Sequence, residues 1–276
     1  STPFFSSAAS DVYTGQDLLN RHFPPDTAGT WDSVGLICGD PAATVSRILF
    51  ALDPTIDVIH EAIETGADLV VTHHPLFLTG VHGVSRDTLG GRVVHEAISH
   101  GIALFNAHTN ADHAHPGVCD ALAQALGLVE CAPIEPGATP LTGAGRIGRL
   151  PKTLTLAQFA EQVAQSLPST AGGIRVAGDP NKLIDMVAVC GGSGDFLLPL
   201  AATLADVYVT SDLKYHRVLD HPREECALID VSHFATEWPW VPAVAALVHS
   251  ELGSNVSTLV SAVRTDPWTG HYSSRD

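Results

Sequence analysis

Residues 67–75 read ADLVVTHHP. The apolar run Leu69, Val70 and Val71 has the length and make-up of a buried strand, and it stops at Thr72, two adjacent histidines and Pro75. The first part of the pattern returns at residues 205–210 as ADVYVT, in register with residues 67–72. Downstream of the first copy lies ALFNAHTNAD (103–112), and downstream of the second lies ALIDVSHFATE (227–237). Each is an apolar strand that ends near a histidine with a carboxylate four residues on: His108 and Asp112, then His233 and Glu237. Two matched features in one order predict a duplicated unit, with insertions between them because the spacings differ.

The surrounding pattern fits α/β layers. Leu18, Leu19 and Phe23 recur near helical spacing over residues 11–23, and residues 55–65, 88–99 and 117–126 read as further helices. Residues 34–38, 46–52, 67–74 and 102–109 read as strands between them. In the second half, helices are expected over residues 155–166, near 196–204 and over 241–252. Strands are expected at IRVAG, MVAVCGG, DVYVTSDL, CALIDVSH and NVSTLVSAV. Strands alternating with helices argue for an α/β fold. The Gly- and Pro-dense stretch CAPIEPGATPLTGAGRIGRL (131–150) reads as a crossover link, which puts the first repeat at residues 1–130 and the second at 131–276. Arg146 and Arg149 in that link are expected to be surface charges.

Bulk properties narrow the function. At 276 residues the chain can form one large domain or two ordinary ones, and no apolar run approaches a membrane span of about 20 residues. The opening STPFFSSAAS lacks the basic and apolar regions of a secretory signal and reads as a loose terminus. A net charge of -16 argues against general nucleic-acid or membrane-surface binding, which rests on Lys and Arg neutralising phosphates. Cys38, Cys119, Cys131, Cys190 and Cys226 form no CxxC and are odd in number, so reduced thiols in a cytoplasmic protein are expected.

Fifteen histidines matter only if they cluster with carboxylates. In an extended strand successive side chains point to opposite faces. His73 and His74 could therefore share one ion if Pro75 turns the chain, or address two different ions, or simply end a strand at solvent. Position favours metal. Ligands of α/β folds gather at the carboxyl ends of strands, and His73-His74, His108-Asp112 and His233-Glu237 all fall there. Imidazole and carboxylate together suit zinc, iron, manganese and cobalt alike. The turn Gly191-Gly192-Ser193-Gly194 lacks the Lys-Ser/Thr ending of a phosphate loop and reads more simply as a tight turn before a helix. Asp212 and Tyr215 read as structural residues of a strand-end loop.

THHPLF, HTNAD with the following HPGV, SDLKYH, SHFATE and the N-terminal WDSVGLICGD occur here in one order over nearly the whole chain. In this the sequence closely resembles the dinuclear-metal family of GTP cyclohydrolase 1 type 2 homologues, also called the Nif-three-like family. It resembles the shorter members, which lack an inserted central domain. The resemblance implies two intertwined, duplicated α/β repeats with mixed sheets, a metal site in the cleft at the strand carboxyl ends, and a homohexameric ring. It implies that His73, His74, Asp112, His233 and Glu237 bind two divalent ions, with Glu237 bridging. His108 is placed behind the ligands or facing substrate, as the candidate catalytic residue, and Lys214 and His216 are candidate substrate contacts.

Two functional classes follow. The first is a metal-dependent hydrolase that attacks a small molecule, with GTP or a related nucleotide or phosphoester as candidate substrate, through a metal-activated hydroxide. The acidic chain offers little basic surface to a triphosphate, which weighs against GTP itself. The second is a non-enzymatic ring protein for metal storage or delivery, or a scaffold for a protein partner.

Overall fold

The two apolar strands that carry the repeat lie at equivalent places in two mixed α/β sheets. The computed structural model describes residues 10–272; the expected loose terminus lies, but for Ser10, outside them. In chain order the longer elements begin with α1 (Val12–His22), β1 (Gly35–Cys38), β2 (Arg47–Ala51), α2 (Ile56–Thr65), β3 (Leu69–Thr72) and α3 (Leu89–Ser99). Next come β4 (Ala103–Asn106), α4 (Thr109–His113), α5 (Val118–Ala125), β5 (Val129–Ala132), β6 (Arg146–Thr155), α6 (Leu156–Ser166) and β7 (Ile174–Ala177). The remainder are β8 (Leu183–Ser193), α7 (Leu198–Leu204), β9 (Val207–Ser211), α8 (Tyr215–Leu219), β10 (Ala227–Val231), α9 (His233–Glu237), α10 (Trp240–Leu252) and β11 (Ser257–Val260).

Two structural units result. Among the described residues the first comprises 10–111 and Val241–Thr265, and the second comprises Asp112–Trp240 and 266–272. The chain passes from one to the other within α4 and returns to the first with α10 and β11.

In the first unit the sheet order is β11-β2-β3-β4-β1, with the first four strands parallel and β1 antiparallel at the edge. Leu49, Val70 and Leu104 from its strands pack with Val58, Ile59 and Ala62 of α2 and Val93 and Ala97 of α3. Thr55 caps α2 by accepting from the Val58 N–H, and Gly66 closes it at φ 66°, a left-handed turn that glycine adopts without steric cost.

In the second unit the order is β7-β10-β9-β8-β6-β5. Here β8, β9 and β10 are parallel, and the outer pairs are antiparallel. Alternate residues serve opposite faces: Val187, Val189, Val207, Val209 and Ile229 face Leu122, Phe159 and Val163, whereas Ala188, Cys190, Tyr208 and Leu228 face Leu198 and Ala201. Strands covered on both sides need near-continuous apolar sequence, which is why Val207–Val209 of β9 and Ala227–Ile229 of β10 are apolar throughout.

The duplication is visible in hydrogen bonds as well as sequence. Asp68 Oδ2 accepts from the backbone N–H groups of Ser46 and Arg47 at 2.7 and 3.0 Å. Asp206 Oδ2 does the same for Asp185 and Met186 at 2.9 and 2.8 Å. Each aspartate thus pins the start of its strand to the neighbouring parallel strand, β2 in one unit and β8 in the other.

The link over residues 131–150 is corrected by the structure. Its second half enters the ten-residue strand β6, antiparallel to both β8 and β5. Arg146 is not a surface charge: its side chain is 1% exposed. Its Nε and Nη2 donate to Asp120 at 2.7 and 2.8 Å, and further N–H groups reach the carbonyls of Gly143, Gly145 and Ala114. A guanidinium can be buried when its fork of donors is met in this way.

Candidate metal centre

The first set of functional side chains stands at the carboxyl ends of three adjacent parallel strands. Ala51 of β2, Thr72 of β3 and Asn106 of β4 lie in register, so the residues just past them are neighbours at strand spacing. These are Asp53, His73-His74 and Ala107-His108. The chain turns after Thr72, whose hydroxyl donates to the His74 carbonyl at 2.8 Å while the His74 N–H bonds Leu52 O at 3.0 Å. His73 is buried, and His74 and His108 are half-buried. Ring centroids are 5.0 Å apart for His73 and His74, 5.2 Å for His73 and His108, and 5.6 Å for His74 and His108. One ring nitrogen from each lies within 4.8 Å of the others, a spacing that could hold a metal ion.

Each of these imidazoles is fixed through Nδ1. His73 donates to Ala107 O at 2.9 Å, His74 to Asp53 Oδ1 at 2.7 Å and His108 to Asp32 Oδ1 at 2.9 Å. A carbonyl or carboxylate acceptor selects the Nδ1–H tautomer and leaves the lone pair on Nε2, the arrangement that orients metal-binding histidines. Burial alone would raise the Asp32 carboxyl. Hydrogen bonds from the Thr109 side chain, His108 and the Thr109 backbone outweigh it and hold the group below the ordinary carboxylate range.

The second set repeats the logic in the other unit, past β8, β9 and β10. Asp212, at φ 58°, follows β9 and accepts from His233 Nδ1 at 2.7 Å. Burial would raise Asp212 too, but the bonds from His233 and Ser193 bring it below the usual value. His233 Nε2 lies 3.1 Å from Glu237 Oε1, one helical turn along α9, and Glu237 is 3% exposed. Asp112 on α4 is half-buried and stands near enough to Cys190 on β8 for its charge to help push that thiol upward, behind larger contributions from Cys119 and burial.

The glycine turn has a steric purpose that its sequence did not disclose. A Cβ at Gly192 would lie 2.3 Å from Glu237 Oε1 and 3.1 Å from His233 Nε2, and one at Gly191 would lie 3.4 Å from Glu237 Cγ. Gly192 also has φ +62°, a conformation that costs other L-residues energy. The buried carboxylate therefore sits in a cradle that any side chain would fill. With anchored imidazoles and cradled carboxylate oxygens, the donor set fits divalent metal.

Sequence reasoning named the imidazoles and carboxylates but missed Asp32 and Asp53 and gave Asp212 no part in the site. The signal was available for two of them, since Asp53 and Asp212 also follow strand ends. Asp32 lies in a turn far from His108 in sequence, and only tertiary structure pairs them. Lys214 and His216 stand exposed on α8 or at its start, with His216 edge-on to Tyr215 at 5.2 Å.

Residues 11–267 match the family model described as Duf34/NIF3 (NGG1p interacting factor 3). The chain is 45% identical to a GTP cyclohydrolase 1 type 2 homolog of Streptomyces coelicolor, over 96% of this chain and 95% of that protein. A relative of the same name from Mycobacterium tuberculosis is 33% identical, over 94% of this chain and 97% of that protein. Its alignment runs to 370 positions, more than the 276 residues here, so that relative carries inserted segments which this chain lacks. Among solved structures, Staphylococcus aureus protein SA1388 superposes with a TM-score of 0.87 at 29% identity, covering 95% of this chain and 99% of that one. A Bacillus cereus protein related to NIF3 gives 0.86 at 25% identity, covering 95% and 99%.

Proposed function

The chain belongs to the Duf34/NIF3 family, and on that premise we propose that it is a dinuclear-metal-dependent hydrolase of a nucleotide or related phosphoester. His73, His74, Asp112, His233 and Glu237 would hold two divalent ions. The supporting observation is the uniform anchoring of the imidazoles. His73, His74 and His233 each donate Nδ1–H to a carbonyl or carboxylate, which reserves Nε2 as the coordinating nitrogen, and His108 is anchored the same way with its Nε2 left for the substrate. The set suits zinc, iron, manganese or cobalt. When bound, a pair of such ions makes water acidic near neutral pH and polarises the bond under attack.

The chain's own residues do the rest. The backbone turn at Thr72 and His74 sets the two imidazole directions. His108, its Nδ1–H held by Asp32, takes or returns a proton at the substrate through Nε2. Lys214 and His216 are the proposed contacts to the substrate's outer groups. The relatives' name points to a nucleotide, and a chain of net charge -16 must rely on metal rather than lysine and arginine to bind phosphate. The ring-shaped homohexamer belongs to the same reading. Among the described residues no helix is long and apolar enough to cross a membrane, and the five cysteines stand as free thiols. The free thiols support a cytoplasmic setting.

The test is a metal-replete screen of nucleotides, cyclic nucleotides and phosphoesters with Asp112→Ala as control. Turnover that disappears in the variant supports the hydrolase. Equal turnover in both, or none in either, favours the metal-holding protein without catalysis.

A further inference from the structure

Trp31 is 61% exposed, a large apolar side chain left on the surface. A single exposed aromatic is ordinary; the placement of this one is not. Its ring centroid is 6.1 Å from that of His108, at an interplanar angle of 82°. The next residue, Asp32, is the carboxylate that holds His108 Nδ1 and also accepts from the Thr109 N–H and hydroxyl at 3.0 and 2.6 Å. The turn that presents the indole is tied down on both sides. Gly29 N–H donates to Thr109 Oγ1 at 2.8 Å, Asp32 N–H to Gly29 O at 2.9 Å, and Asn106 Nδ2 to Ser33 O at 2.8 Å. The indole also lies against Gly29, where a Cβ would come within 3.0 Å of Nε1. A flat, exposed ring is therefore presented beside the imidazole cluster by a turn fastened through the same residue that orients one of its histidines.

From this we propose that Trp31 is the stacking platform for the heteroaromatic ring of a nucleotide substrate, and so the residue that selects a base-bearing phosphoester over a bare one. The proposal rests on the hydrolase reading above. Stacking on an indole face is indifferent to net charge, so it suits a chain with 30 acidic and 14 Lys and Arg side chains. A turn already fastened in place loses little conformational freedom on binding.

The test measures binding by calorimetry to metal-loaded protein with two probes: GTP, which carries a base, and inorganic tripolyphosphate, which does not. Wild type is compared with Trp31→Ala and Trp31→Phe. Metal content and oligomeric mass are measured for each. The expected result is a loss of GTP affinity of about tenfold or more in Trp31→Ala, with tripolyphosphate affinity and metal content unchanged and most of the GTP affinity kept in Trp31→Phe. The proposal is overturned if Trp31→Ala leaves GTP affinity intact, weakens both probes alike, or changes oligomeric mass instead. Wild type that binds tripolyphosphate but not GTP overturns the platform and keeps the phosphoester reading; wild type that binds neither overturns both.

Discussion

A histidine becomes a dependable metal ligand when something fixes its other nitrogen, and Asp53 does this for His74 at 2.7 Å while its second oxygen bonds the Thr265 hydroxyl. Asp53→Ala is expected to lower divalent-metal affinity about 10- to 100-fold with the fold retained. Calorimetric metal titration beside a circular dichroism spectrum would check both parts; unchanged affinity would remove Asp53 from the site. At this scale the sequence was legible where residues announce themselves, as with His73-His74 before Pro75. It was illegible where a partner is distant in the chain, as with Asp32 and His108, because side-chain pairing across 76 residues is set by tertiary contact alone.

Among the elements, the end of β8 shapes the site and the strand β6 carries the buried arginine. The β8 glycines serve the side chain of Glu237 rather than a phosphate. Gly192→Ala meets the carboxylate and must also adopt positive φ, which alone costs about 1–2 kcal/mol. The expected outcome is a lower melting temperature together with lost metal; a variant that keeps full metal content would contradict the cradle. Removing the guanidinium in Arg146→Ala takes the buried ion-pair partner from Asp120 and leaves several carbonyls without their donor. A loss of about 3–5 kcal/mol in denaturant unfolding is expected, against near neutrality for a surface arginine. Sequence periodicity found the apolar strands and the amphipathic helices. It misread residues 146–150 because only three of that strand's ten side chains are buried and the preceding residues are rich in glycine and proline.

Over the whole molecule the repeat was legible because duplicated strands keep their apolar runs. The aspartates Asp68 and Asp206 keep one job in both copies, whereas the strand-end chemistry has diverged. The position that is His74 in the first copy is Asp212 in the second, where it holds His233. The thiols give a check on one core of the second unit, where Cys190 and Cys226 both lie. Burial, modulated by Lys182 and Asp206, pushes the Cys226 thiol up to about 11, and Cys190 is also raised well above its ordinary value, by Cys119 and burial. Native protein at pH 8 should be alkylated first at exposed Cys131, with Cys190 and Cys226 reacting only on unfolding; early modification of Cys226 by mass spectrometry would contradict its burial. The sign of the linkage follows: the contribution of Cys226 to stability is complete below about pH 9, its unfolded value, and is lost as pH rises through about 11.

The central claim is that the anchored histidines and the cradled Glu237 carboxylate hold metal. Its most direct test is the divalent-ion content of purified, metal-replete protein by elemental analysis, beside Glu237→Ala and His73→Ala. The account predicts about two ions per wild-type chain and a clear fall in both variants; full metal retention in both would contradict it.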